Sequence, residues 1–172
     1  MNKTKVSQDF LYDNIVKHGV NVKAIAELMG ISVTMVNGCL RHDKDMHGNP
    51  RNFPAKTLPK LNAALEQLAE QLNQSLITFG SDQTYTNNRG TQYDPAAVDG
   101  IQALRKYFKL TPFLKDALGW TENKKSIVLH TPSSKGYACV SAQDVRRINA
   151  AITQVAVLFG GIEVVAEGNS SI

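Results

Sequence analysis

The chain has only two cysteines in 172 residues, Cys39 and Cys139. Both lie in apolar stretches, which implies buried free thiols and no disulfide framework. Long hydrophobic runs are missing too, and the longest apolar stretches are far too short to span a bilayer. The start, Met1-Asn-Lys-Thr-Lys5, is basic, but Gln8, Asp9 and Asp13 follow where a signal peptide needs an apolar segment. An intracellular, unprocessed, cytoplasmic chain is therefore expected. There is no phosphate-cradling glycine loop, and no Ser/His/Asp or Cys/His arrangement with a supporting context. Neither an enzyme nor a bound cofactor is expected. Cys39, His42, His47, Asp43 and Asp45 fall close together, yet their spacing matches no zinc module and Cys39 is needed on an apolar helix face, so no metal is expected.

Charge of one sign is nearly balanced by the other. The net value is +4 with a sequence pI near 9.1, a mild basic excess compatible with nucleic acid and equally with many proteins that bind none. Its distribution says more than its size. Residues 1–72 carry nine Lys and Arg against seven Asp and Glu, and residues 98–172 carry nine against six, while the segment between carries one against two.

The clearest pattern lies in residues 22–40. Val22, Ile25, Ala26 and Met29 have the i, i+3, i+4, i+7 spacing of one buried helical face. Gly30 stands where that helix must stop in a left-handed conformation, which glycine adopts cheaply. Ile31 can fill the gap that follows. Ser32 can cap a second helix, whose apolar side is Met35, Val36, Cys39 and Leu40. Two short helices with a tight turn make a helix-turn-helix, and the second helix of such a unit is the kind that enters a DNA major groove. A first helix carrying Phe10, Leu11, Asn14, Ile15 and His18 precedes it and ends at Gly19. Arg41–Asn52 is polar and turn-rich, hence a loop or small hairpin. A long helix from about Thr57, as its cap, to about Asn73 then buries Leu58, Leu61, Ala64, Leu65, Leu68 and Leu72. Pro59 is tolerable in its first turn.

The run Ala26-x-x-x-Gly30-Ile31-Ser32-x-x-x-Val36 resembles the helix-turn-helix of the lambda-repressor-like superfamily. Phe53-Pro54-Ala55-Lys56-Thr57-x-x-Lys60-Leu61-x-x-Ala64-Leu65 resembles the helix that follows the reading helix in lac-repressor-type DNA-binding headpieces. Together they cover roughly residues 9 to 72.

The pattern then recurs. Residues 80–95 have no apolar period and many turn formers, and read as a linker. Beyond it, Ile101–Tyr107 stands where Tyr12–His18 stood, and Leu110–Thr121 overlays Val22–Ser32 with Gly119 on Gly30. Val140–Ile152 matches Phe53–Leu65, with Asn62-Ala63-Ala64 and Asn149-Ala150-Ala151 identical. Ser141-x-x-Asp144 is a capping-box variant that starts this helix. A spacing of about 88 residues is too long for a solenoid and indicates a duplicated domain. Gly160-Gly161 and Ile162–Val165 read as a helix stop and a short terminal strand. Leu76–Phe79 holds a similar place, and the two strands could pair with each other or across a dimer.

The expected fold is thus all-α: two tandem helix-turn-helix domains of about four helices each, over residues 1–79 and 98–172, joined by a polar linker over 80–97. The expected function is binding of double-stranded DNA as a transcriptional regulator. The resemblance to headpieces puts Val33 and Thr34 at the base-facing start of the reading helix. Asn37 could pair with adenine, and Arg41 could take guanine or a phosphate. Gly38, also expected to be exposed, stands where such headpieces often carry a long polar reader. Lys23, Ser32, Lys56 and Thr57 are the phosphate candidates, because helix N-termini attract anions. Thr121, Asn123, Lys124 and Ser126 are their equivalents in the second repeat, flanked by Arg146 and Arg147, with Glu122 near the groove. The alternative is a protein-interaction module, antitoxin-like or a mobile-element accessory factor. In that case the second repeat or the C-terminal segment binds a protein partner or forms a homodimer, and no membrane is involved.

Overall fold

Short polar caps and left-handed glycines cut the first half of the chain into helices. The computed structural model describes residues 2–86, 88–90, 92–119 and 141–166. Helix α1 (Gln8–His18) is capped by Ser7, whose hydroxyl accepts from Phe10 N at 3.1 Å, and α2 (Val22–Met29) by Asn21, which accepts from Lys23 N at 3.1 Å. Helix α3 (Val33–Leu40) follows with Ser32 accepting from Met35 N at 3.1 Å. These bonds satisfy amides that a helix start leaves without internal partners. Gly19 and Gly30 end α1 and α2 at φ 67° and 72°, in the region where a side chain costs about 1–2 kcal/mol.

Helix α4 (Leu58–Asn73) begins one residue after Thr57. Thr57 occupies the cap position with helical dihedrals and makes no side-chain cap bond, so the expected hydroxyl cap is not formed. Its amide instead bonds to Pro54 O at 2.8 Å, a turn that leads into the helix while Pro59 sits in the first turn. The buried stripe of α4 is Leu58, Leu61, Ala64, Leu65, Leu68, Ala69 and Leu72. Each such leucine contributes about 1.5–3 kcal/mol of burial.

Residues 80–94 fold on themselves. Strands β2 (Tyr85–Thr86) and β3 (Gln92–Tyr93) form an antiparallel ribbon with the rings of Tyr85 and Tyr93 stacked, centroids 5.5 Å apart. Asp94 is 1% exposed and caps α5 (Pro95–Ala103) through Ala96 N, while its other oxygen accepts from Gly80 N and Ser81 N. Burial works to raise this carboxyl, and the hydroxyl and amide of Ser81 with the amides of Ala96 and Gly80 outweigh it, holding it below its ordinary range. The polar composition of this stretch reflects a ribbon and a cap. A 3-10 turn (Leu104–Lys106), α6 (Leu110–Leu118) and α7 (Ala142–Gly160) complete the helices among the described residues, with Ser141 capping α7 through Asp144 N at 3.2 Å.

The described fold is mostly helical, with a few short strands. Among the described residues, no single helix is long and apolar enough to cross a membrane. The expected strand pairing differs. Strand β4 (Ile162–Val164) pairs in parallel with β1 (Thr4–Val6), and Leu76–Phe79 is extended chain outside any sheet. The reason lies in Asn149, whose amide takes both backbone groups of Ile77, Oδ1 accepting from Ile77 N at 2.7 Å and Nδ2 donating to Ile77 O at 2.9 Å.

The two halves meet reciprocally. Asn62 on α4 grips Val164 as Asn149 on α7 grips Ile77. Between α1 and α2, Asn21 N donates to Tyr107 O at 2.7 Å, and between the 3-10 turn and α6, Lys109 N donates to Gly19 O at 2.7 Å, so Val20 and Phe108 face each other in an antiparallel bridge. Exchange of the same bond in both directions is the mark of an isologous contact. Helices α4 and α7 form the most extensive helix pair, and buried residues of both halves join in one core that includes Ile25, Leu61, Leu68, Phe113, Ile148 and Phe159.

Candidate nucleic-acid interface

Gly30, Ile31 and Ser32 are the whole connection between α2 and α3, and the two helices turn through 114°. That is the angle range and turn length of helix-turn-helix units. The apolar stripe of α2 holds the angle: Ala24, Ile25, Ala26 and Met29 are buried, and α2 lies against both α3 and α4. On α3, Val36, Cys39 and Leu40 face the core, while Ser32, Thr34, Met35 and Arg41 are exposed and Val33 and Asn37 half-buried. A helix repeat of 3.6 residues puts 33, 34, 37 and 41 within one outward sector. Burial pushes the Cys39 thiol up, and Arg51 nearby pulls it partly back. Cys39 is thus a core residue.

Of the phosphate candidates, Lys23 at the start of α2 and Lys56 before α4 are exposed, and Thr57 is half-buried. The Ser32 hydroxyl is engaged as the α3 cap. Arg41 Nη2 lies 3.0 Å from Asp43 Oδ2, both about half exposed, so the cation expected to meet guanine or phosphate is held by a carboxylate. Arg146 and Arg147 are exposed on the first turns of α7, where Arg147 shares a surface recess with Lys17, His18, Asp116 and Gln154. Thr121, Glu122, Asn123, Lys124 and Ser126 lie outside the described residues, as does Cys139.

Gly38 departs from expectation. It is buried, although its position on the helix wheel points outward. The cover is Arg51. A Cβ built on Gly38 would stand 3.3 Å from Arg51 Nη1 and 3.5 Å from its Cδ. Residues 43–51 form a small hairpin that brings Arg51 back: Asp43 N bonds to Gly38 O, Arg51 N to Asp43 O, and Asp45 N to Asn49 O, at 2.9, 2.9 and 2.8 Å. Gly48, at φ 79°, makes the turn. His42 fastens the base of this hairpin. Its Nε2 meets Asp9 Oδ1 at 2.6 Å and its Nδ1 meets Arg51 O at 3.1 Å. The bond to Asp9 raises the imidazole above its ordinary value against the opposing effect of burial, with Arg51 O adding to the rise.

Arg51 is the functional candidate that sequence reasoning missed. Its signal was present in a glycine on the outward face of α3, followed by a turn-rich segment long enough to fold back. No known family model, characterised protein or solved structure matches this chain. The reading of its function rests on the geometry.

Proposed function

We propose that the protein binds double-stranded DNA, with α3 in the major groove and Val33, Thr34 and Asn37 toward base edges, as a sequence-preferring regulator of transcription. The observation that carries this reading is the α2–α3 unit, a three-residue turn begun by left-handed Gly30 and a 114° bend that leave Thr34 exposed and Val33 and Asn37 half-buried on the outer side of a capped helix. Exposed Lys23 and Lys56 stand beside helix starts, where they can position phosphates. The reciprocal bonds between the halves support reading them as one duplicated helix-turn-helix unit. On that reading a single chain presents two heads, as dimers of such proteins do.

The test is a salt titration of the full chain on mixed-sequence duplex DNA, read by fluorescence anisotropy. A truncation after α4 is unsuitable because it would strip α7 from the core. Affinity is expected to fall linearly on log–log axes, with Lys56→Ala and Lys23→Ala each lowering the slope by about 1. Absence of binding at low salt would remove the DNA reading and favour a protein-binding module.

A further inference from the structure

We propose that Arg51, a residue of the hairpin and not of α3, is the principal base-reading side chain of the DNA face, recognising a guanine. The proposal rests on the reading of α3 as the groove-facing helix. Gly38 leaves an opening in the outward side of α3, between Thr34 and Met35 on the helix wheel and one turn before Arg41. The hairpin places a guanidinium in that opening. Two points of close approach, at Nη1 and Cδ, lay the side chain along the glycine. Alanine at 38 would make it give way by a fraction of an ångström, and a larger residue would occupy its place.

Charge singles out the same residue. Asp43 Oδ2, 4.0 Å from the position a Cβ would take on Gly38, pairs with Arg41 at 3.0 Å. Arg51 is exposed and forms no ion pair among the described residues. Of the two arginines at this end of α3, Arg51 is therefore the one with its fork open. A planar fork of fixed donors matches O6 and N7 of guanine, and an ammonium cannot reproduce that match. Holding the side chain against a helix before DNA arrives also reduces the entropy lost on binding. The Arg51 backbone is held at both ends, its N–H donating to Asp43 O and its carbonyl meeting His42 Nδ1, which fixes where the side chain starts. The hairpin thereby supplies the long reader that α3 itself lacks.

The experiment is selection of bound duplexes from a random-sequence pool by the full chain and by Arg51→Ala, Arg51→Lys and Gly38→Ala, followed by affinity measurements on selected and scrambled sites. The Lys variant keeps charge and stem, and Gly38→Ala raises helix propensity, so loss of folding does not confound all three. The wild type is expected to select a motif containing a required G·C pair. Both Arg51 variants should lose preference at that one pair, with about five- to 150-fold weaker binding to the selected site, and should keep most of their affinity for scrambled DNA. Gly38→Ala should weaken the same preference. An unchanged base preference, with equal losses on every sequence, would make Arg51 a phosphate contact and overturn the proposal. Wild-type binding without any preferred base would also overturn it while leaving DNA binding intact. Failure of the wild type to bind duplex at all would end both readings together.

Discussion

Asn62 and Asn149 each hold the backbone that follows the other's helix. The amide of Asn62, on α4, closes a two-bond ring with Val164, just after α7, at 3.0 and 2.7 Å. The amide of Asn149, on α7, closes the same ring with Ile77, just after α4, at 2.9 and 2.7 Å. The interval from Asn62 to Asn149 equals that from Ile77 to Val164. A repeated sequence feature has become a mutual lock between the two halves.

Replacing either asparagine should weaken the lock. Asn62→Ala leaves the N–H and C=O of Val164 without that partner in a partly buried place, and Asn149→Ala does the same to Ile77. Each is expected to cost about 1–3 kcal/mol, read as a lower urea midpoint. Asn→Asp at either site keeps the acceptor and loses the donor, so it should recover only part of the loss. Variants within experimental error of the wild type would show that these rings add nothing to stability.

Three left-handed glycines make an internally controlled series. Gly30 and Gly119, at φ 72° and 64°, have no atom of the described residues within 4 Å of where a Cβ would stand. Gly30→Ala and Gly119→Ala should therefore cost backbone strain alone, about 1–2 kcal/mol each. Gly19 has φ 67°, and its Cβ would lie 2.8 Å from Phe113 N, 3.2 Å from Lys109 O and 3.2 Å from Pro112 Cβ. Gly19→Ala should add about 1–3 kcal/mol of overpacking and force the antiparallel bridge apart. Equal melting temperatures for the Gly19 and Gly30 variants would contradict the close approach.

His42 makes stability depend on pH in a definite direction. Its imidazole is raised in the folded chain, chiefly by Asp9. A raised group contributes stability that is fully present below its unfolded value of about 6.5 and is lost as pH rises through the folded value. Melting of the wild type should therefore lose this contribution between mildly acidic and mildly alkaline buffer. His42→Gln or Asp9→Asn should remove that part of the slope. A profile unchanged in both variants would mean the pair carries no linkage.

The local elements were legible because their causes are local. Ser32 and Gly30 act within a turn of themselves, and the apolar spacing of Val22, Ile25, Ala26 and Met29 needs only the 3.6-residue repeat. Leu58–Asn73 was readable from its leucine stripe in the same way. The shared run Asn62-Ala63-Ala64 and Asn149-Ala150-Ala151 was legible as a sequence repeat, and its two asparagines make equivalent bonds. Thr57 does hold the cap position of α4, but its hydroxyl makes no cap bond; its own N–H donates to the Pro54 carbonyl in a turn that a residue-type preference does not reveal. Leu76–Phe79 looked like a strand because extended apolar residues look alike whether they meet a ladder or a side-chain amide.

Among the candidate site residues, the sequence by itself determined the turn, the capped helix and the exposure of Thr34 and Arg41, since each depends on neighbours within a few positions. Met35, expected on the apolar side of α3, is exposed, and Gly38, expected to be exposed, is buried. Tertiary structure decided what lies upon that face. The capture of Arg41 by Asp43 and the placement of Arg51 over Gly38 depend on a hairpin folding back, and the helical repeat does not encode that path. The pairing of the halves was likewise settled in three dimensions. Asn62 and Asn149 have no local partner to satisfy their amides, and only the packing of α4 on α7 brings the far backbone within reach.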